Sequence, residues 1–103
     1  MNNKDSVEKF NHSSIDELVI SKLKKLTQCL TPVRDIALLT GIPEGELRRE
    51  LANPNSEIYK AYYTTKAEVA LEIRRRDIQL AEDGSPSAAE KVTTYLRNMS
   101  NDE

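Results

Sequence analysis

Residues Thr31–Leu51, TPVRDIALLTGIPEGELRREL, set a glycine corner between two short amphipathic runs, and no other stretch of the chain constrains the fold as tightly. The Thr31 hydroxyl suits a helix cap, and Pro32 suits the first helical position, where its missing N–H had no partner to lose. Ile36, Ala37 and Leu39 then supply an apolar face. Gly41 stands where the chain must bend, because a left-handed residue is cheap only for glycine. Ile42 fills the corner, and Pro43 opens a second helix with Leu47 and Leu51 four residues apart. Ala37 is small where the second helix has to come close. These features predict a helix-turn-helix.

The rest of the chain predicts an all-α protein around that unit. Residues 1–13 are polar and read as a flexible arm. Ser13 or Ser14 caps a first helix, with Glu17 completing a capping box, and Ile15, Val19, Leu23, Leu26 and Leu30 form its apolar stripe. Residues 14–52 make the helix-turn-helix domain. Asn53-Pro54-Asn55-Ser56 is a break, since proline turns the preceding residue away from helix and Asn or Ser caps the next helix. Residues 57–83 contain no glycine or proline, which predicts one helix of roughly 40 Å at 1.5 Å per residue. Gly84 ends it. Ser85-Pro86 starts a final, shorter helix, with Ala89, Val92, Leu96 and Met99 on one side.

The long helix carries two apolar stripes, Ile58/Tyr62/Val69/Ile73/Leu80 and Tyr63/Ala67/Leu71/Ile78/Ala81, with a polar wedge of Glu68, Glu72, Arg75, Gln79 and Glu82. A helix on the surface of a monomer needs one stripe. Two stripes point to burial from two sides, by this chain and by a second copy, so residues 56–99 are the expected oligomerisation region, with Tyr62, Tyr63, Val69, Ile73 and Leu80 in core and subunit contacts. The alternative is that the final helix folds back over the second stripe unaided.

A length of 103 residues predicts one domain, or one small domain with arms, and a modest core. No run approaches the ~20 apolar residues that span a membrane, and the N-terminus has no apolar signal-like region. Cys29 is the only cysteine; it falls near the first apolar stripe and reads as inert core, compatible with a reducing cytoplasm. Catalysis is not expected. His12 is the only histidine and lies in the arm, no Cys/His cluster suits a metal, and the three isolated glycines build no phosphate cradle. No cofactor is implied.

A helix-turn-helix usually sets its second helix in a DNA major groove, and the early part of that helix meets the base edges. Gly45, Glu46, Arg48 and Arg49 are therefore the candidate reading residues. Arginine pairs with guanine in two hydrogen bonds and glutamate accepts from cytosine. Lys24, Lys25 and Arg34 are candidates for positioning phosphates. The net charge of −2 and the carboxylates Glu44, Glu46 and Glu50 in the same helix limit the affinity of one subunit, so repeated subunits would add to it. The competing reading is that Arg48 and Arg49 solvate a surface helix and pair with Glu44 and Glu46. Arg74-Arg75-Arg76 spread round the helix and read as a solvated face or salt-bridge partners of Glu68 or Glu72. Tyr59, Tyr62 and Tyr63 could stack on bases, though their spacing beside Ile58 favours packing.

Three segments, DIALLTGIPEGELRREL, IYKAYYTTKAEVALEIRR and LAEDGSPSAAEKVTTYL, together resemble the small subunit of phage terminases over about residues 15–99. The resemblance implies a non-catalytic double-stranded DNA recognition subunit for DNA packaging. It also implies assembly into a ring through the central helices, and delivery of DNA to a separate motor-nuclease, the large terminase subunit. A helix-turn-helix transcriptional regulator and a helical scaffold or adaptor that binds only protein are the other readings open to this sequence.

Overall fold

The structure, a computed structural model, describes residues 17–103. Among the described residues the chain forms five helices and no strand. Helix α1 covers residues 17–28, α2 Val33–Thr40, α3 Glu44–Leu51, α4 Glu57–Glu82 and α5 Pro86–Asp102. This is the expected all-α order: an N-terminal helix, a helix-turn-helix, a long helix and a shorter C-terminal one. The polar arm, His12, the Ser13 or Ser14 cap and Ile15 lie outside the described residues. No helix among the described residues is long and apolar enough to cross a membrane.

The chain divides into two compact units, one running through Lys66 and the other beginning at Ala67. The core of the first is small. Leu23 of α1, Ile36 of α2 and Leu47 of α3 are fully buried, and Ala37 and Ala61 complete the cluster. Ile20, Leu26, Val33, Ile42, Leu51, Ile58 and Tyr62 pack against it from the side. The first unit thus extends past the Asn53–Ser56 break, because Ile58, Ala61 and Tyr62 of α4 belong to the same core.

Each turn of this unit has a local cause. Gly41 takes φ 82° and returns its N–H to the Ala37 carbonyl at 2.9 Å, which closes α2 as the sequence predicts. The Thr40 hydroxyl donates to the Ile36 carbonyl at 2.7 Å. At the break, the Asn53 side-chain oxygen accepts from Asn55 N–H. Ser56 caps α4: its hydroxyl accepts from Ile58 N–H at 3.1 Å and donates to the Glu50 carboxylate at 2.8 Å, joining the last turn of α3 to the first turn of α4.

Five sequence expectations fail in this unit, four of them around one place, among them Pro32, which is extended at the N-cap and is not the first helical residue. α1 stops at residue 28 and Leu30 takes a left-handed φ of 61°. Leu30 N–H bonds to the Thr27 carbonyl and Thr31 N–H to the Leu26 carbonyl, the paired bonds that close a helix around a left-handed residue. Leu30 is therefore swung out of the apolar stripe and is 66 % exposed. Cys29, in the same turn, is exposed rather than core. Thr31 is absorbed by this closing turn and does not cap α2, which starts at Val33 after an extended Pro32 with no capping side chain. In α2 itself the inward pair is Ile36 and Ala37, and Leu39 is exposed with Leu38.

In the second unit, Gly84 at φ 101° ends α4. Its N–H bonds to the Ala81 carbonyl and that of Ser85 to the Leu80 carbonyl. The Ser85 hydroxyl then accepts from Ala88 N–H, with Pro86 at the start of α5, as the Ser-Pro pair predicts. The side of α5 turned inward is Ala88, Val92 and Tyr95. The expected face of Ala89, Val92, Leu96 and Met99 is corrected: Ala89, Leu96 and Met99 are exposed. On this face Tyr95 donates its hydroxyl to the Asp77 carboxylate at 2.5 Å, and Asp77 is only 8 % exposed. In this unit Val69, Ala70 and Ala81 are half-buried, while Leu71, Ile73, Ile78 and Leu80 remain exposed. Neither sequence stripe is covered along its whole length.

The Leu30 turn and the Tyr95–Asp77 bond can each be tested. A leucine held left-handed is strained by about 1–2 kcal/mol, and this one has little packing to lose. Leu30→Gly will raise unfolding free energy by about 1 kcal/mol, and a urea melt will read it as a later midpoint with an unchanged slope. The hydrogen bond to Asp77, then desolvation and the Asp77 charge, hold the Tyr95 phenol above its ordinary pKa, against a smaller opposing effect of Arg74. A raised pKa contributes stability that is complete below about pH 10 and is lost as pH climbs through the folded value. Alkaline titration followed by circular dichroism will therefore lose α4–α5 helicity above that pH, and Tyr95→Phe will remove the tyrosine-linked part of the transition.

Candidate nucleic-acid interface

Helix α3 is short, and Leu47 orients it. With Leu47 fully buried, residues two positions to either side fall on the opposite face at about 100° per residue. Those residues are Gly45 and Arg49, both exposed. Residues one position to either side flank the helix, and these are Glu46 and Arg48. The expected set Gly45, Glu46, Arg48 and Arg49 thus divides into an outward pair and two opposite flanks. Gly45 sits in open space, so a partner can approach the backbone there closely.

The flanks differ in charge. Glu46 lines a concavity of about 370 Å³ with Glu50, Glu57 and Ser56 and the apolar side chains of Val19, Ile20, Ile42 and Ile58. Arg48 lines a separate concavity of about 330 Å³ with Val33, Leu51, Ala52, Tyr62, Tyr63 and Lys66. A third, at the corner, is bounded by Arg34, Leu38, Gly41, Pro43 and Glu44. The carboxylates that made α3 acidic on paper are therefore grouped away from Arg48 and Lys66, except for Glu44. Glu44 accepts from Arg48 Nε at 2.9 Å, and both side chains are about half exposed.

The floor beside Arg48 is aromatic. Tyr63 packs against Tyr59 with ring centroids 4.6 Å apart and meets Tyr62 nearly edge-on at 5.0 Å. Lys66 Nζ stands 5.8 Å and 5.9 Å from the Tyr62 and Tyr63 ring centroids. Tyr62 is half-buried against the core cluster and Tyr63 is 41 % exposed.

Lys24 and Lys25 are exposed on α1, one and two residues after buried Leu23, and Arg34 is exposed on the first turn of α2. Of the expected phosphate-positioning residues, Arg34 shares the corner surface with Glu44. Of the expected oligomerisation residues, Tyr62 is committed in large part to the chain's own core, Val69 is half-buried, and Ile73 and Leu80 are exposed. Arg76 pairs with Glu72 of its own helix at 3.5 Å, which accounts for one member of the arginine run.

Sequence reasoning missed Lys66. It comes four residues after Tyr62 and three after Tyr63, a spacing that puts all three on one helix face, so the Tyr–Lys group was legible. Its proximity to Arg48 was not, since that depends on how α3 meets α4. No family model, no curated protein and no solved structure matches this chain.

The exposed Glu44–Arg48 pair is worth at most about 1 kcal/mol. Glu44→Gln is expected to lower stability by less than that in a denaturant melt, because it weakens one surface pair and one favourable charge at the start of α3.

Proposed function

We propose that this chain recognises double-stranded DNA through α2 and α3, as a non-catalytic component similar to a terminase small subunit. In this reading α3 enters the major groove with Gly45 and Arg49 against the base edges. Arg48 works on its positive flank, and Lys24, Lys25 and Arg34 supply phosphate contacts. The single observation that carries the reading is the outward pair Gly45 and Arg49, held opposite fully buried Leu47 behind a left-handed glycine corner. A small residue beside an arginine lets a helix sit deep while one long donor reaches the guanine edge.

Assembly into a homo-oligomer through residues beyond Lys66 is part of the proposal. Support comes from Leu71, Ile73, Ile78 and Leu80 on α4 and Leu96 and Met99 on α5, all exposed within one small unit. The assembled form would place many weak DNA sites side by side and pass the duplex to a motor-nuclease subunit in the cytoplasm.

Fluorescence titration of a duplex across salt concentrations tests this directly. Binding should weaken with salt along a negative log–log slope. Arg49→Ala should lower affinity by about 1–3 kcal/mol and relax sequence preference, and Arg48→Ala should flatten the slope. Glu44→Gln should raise affinity, since it releases Arg48 and removes a negative charge. A wild-type protein that ignores duplex even at low salt would overturn the reading in favour of a scaffold.

A further inference from the structure

Of the cation–tyrosine concavity between α3 and α4, the groove-reading surface uses only Arg48, and the composition of the rest fits one kind of occupant. Its rim carries two permanent donors of positive charge, Arg48 and Lys66, from segments 18 residues apart in the sequence. None of its lining residues is acidic. Its floor is apolar and aromatic, from Val33, Leu51, Tyr62 and Tyr63. Arginine and lysine only donate hydrogen bonds, so the group between them must accept and should be negative. The rings of Tyr62 and Tyr63 suit a flat or carbon-rich neighbour of that anion.

We propose that Arg48 and Lys66 together hold a phosphate of the duplex backbone beside the groove that α3 reads, with the exposed edge of Tyr63 against the adjoining sugar. The proposal rests on the DNA reading above and extends the interface from the helix-turn-helix onto α4. The site is argued for duplex backbone because Arg48 directly precedes the outward residue Arg49 on α3. An α3 seated in the groove therefore brings the bordering strand towards the same flank. Glu44 does not block the site. Its pair with Arg48 is solvent-exposed and weak, and a phosphate oxygen can replace the carboxylate on the guanidinium.

Lys66 is exposed, so substitutions there keep the fold, and a thermal melt of each variant checks this. The test compares wild type, Lys66→Gln and Lys66→Arg on one preferred and one scrambled duplex across salt. One lost phosphate contact reduces the log–log slope by about 0.9. Lys66→Gln should therefore weaken low-salt binding to both duplexes by the same factor. Its affinity should fall about three- to fourfold less than that of wild type between about 50 mM and 200 mM salt. Lys66→Arg should restore the wild-type slope. A wild-type slope in Lys66→Gln, in a protein that still loses affinity on Arg49→Ala, overturns the Lys66 site and leaves the groove reading intact. A loss confined to the preferred duplex also overturns it, because a backbone contact carries no sequence information. Failure of the wild-type protein to bind either duplex overturns both proposals together.

Discussion

Three side chains hold the helix-turn-helix in shape. Leu23, Ile36 and Leu47 meet with no surface left to solvent, one from each of the first three helices. Burying a leucine or isoleucine contributes roughly 1.5–3 kcal/mol, so this cluster is small even for a short domain. Everything the outer face of α3 presents is referred to it. Turning α3 by one residue about its axis would bury Arg48 or Glu46 and send Leu47 to solvent. The orientation of Gly45 and Arg49 is thus specified by hydrophobic burial on the far side of the same helix. Truncating Leu47 would remove both the packing and the pointing of the arginines.

The electrostatics come from the same rotation. Counted along the chain, α3 is unfavourable for a polyanion, with three glutamates to two arginines. Folded, Glu46 and Glu50 gather with Glu57 on one flank, while Arg48 and Lys66 line a concavity on the other, with Glu44 paired to Arg48. Ser56 contributes by bonding to the Glu50 carboxylate and holding it at the junction with α4. Net charge averages over two faces that a rigid partner would meet one at a time, which is why the composition is a poor guide here.

The features legible in the sequence and those hidden from it divide along a physical line. Features settled within four or five residues were legible: the Gly41 corner, the turn at Asn53–Ser56 and the Ser85-Pro86 start; so was α4, from the absence of glycine and proline along it. The close of α1 was not, because a leucine occupies the left-handed position that glycine or asparagine usually takes, and the nominal stripe runs straight through it. The inward face of α5 was misread because it runs through Ala88, Val92 and Tyr95, with Tyr95 bonded to Asp77, while Leu96 and Met99 face solvent. At the candidate site, Arg48 and Arg49 could be named from the motif. Their division into flank and outward face, and the approach of Lys66, depend on tertiary packing that no local pattern carries.

The α4–α5 hairpin beyond Lys66 has a core of another kind. Among its residues only Ala88 and Asp77 are buried, and its large aliphatic side chains are mostly wet. Such a segment opens locally at low free energy, so its backbone amides should exchange with solvent sooner than those around Leu23. A partner that covered those side chains and bound only the closed form would stabilise it by mass action, by about 2.7 kcal/mol at a hundred times the dissociation constant. Were the covering partner a second copy, as proposed, the firmness of this half would gauge how crowded the chain is with its companions. Dilution would loosen it while leaving the glycine corner untouched.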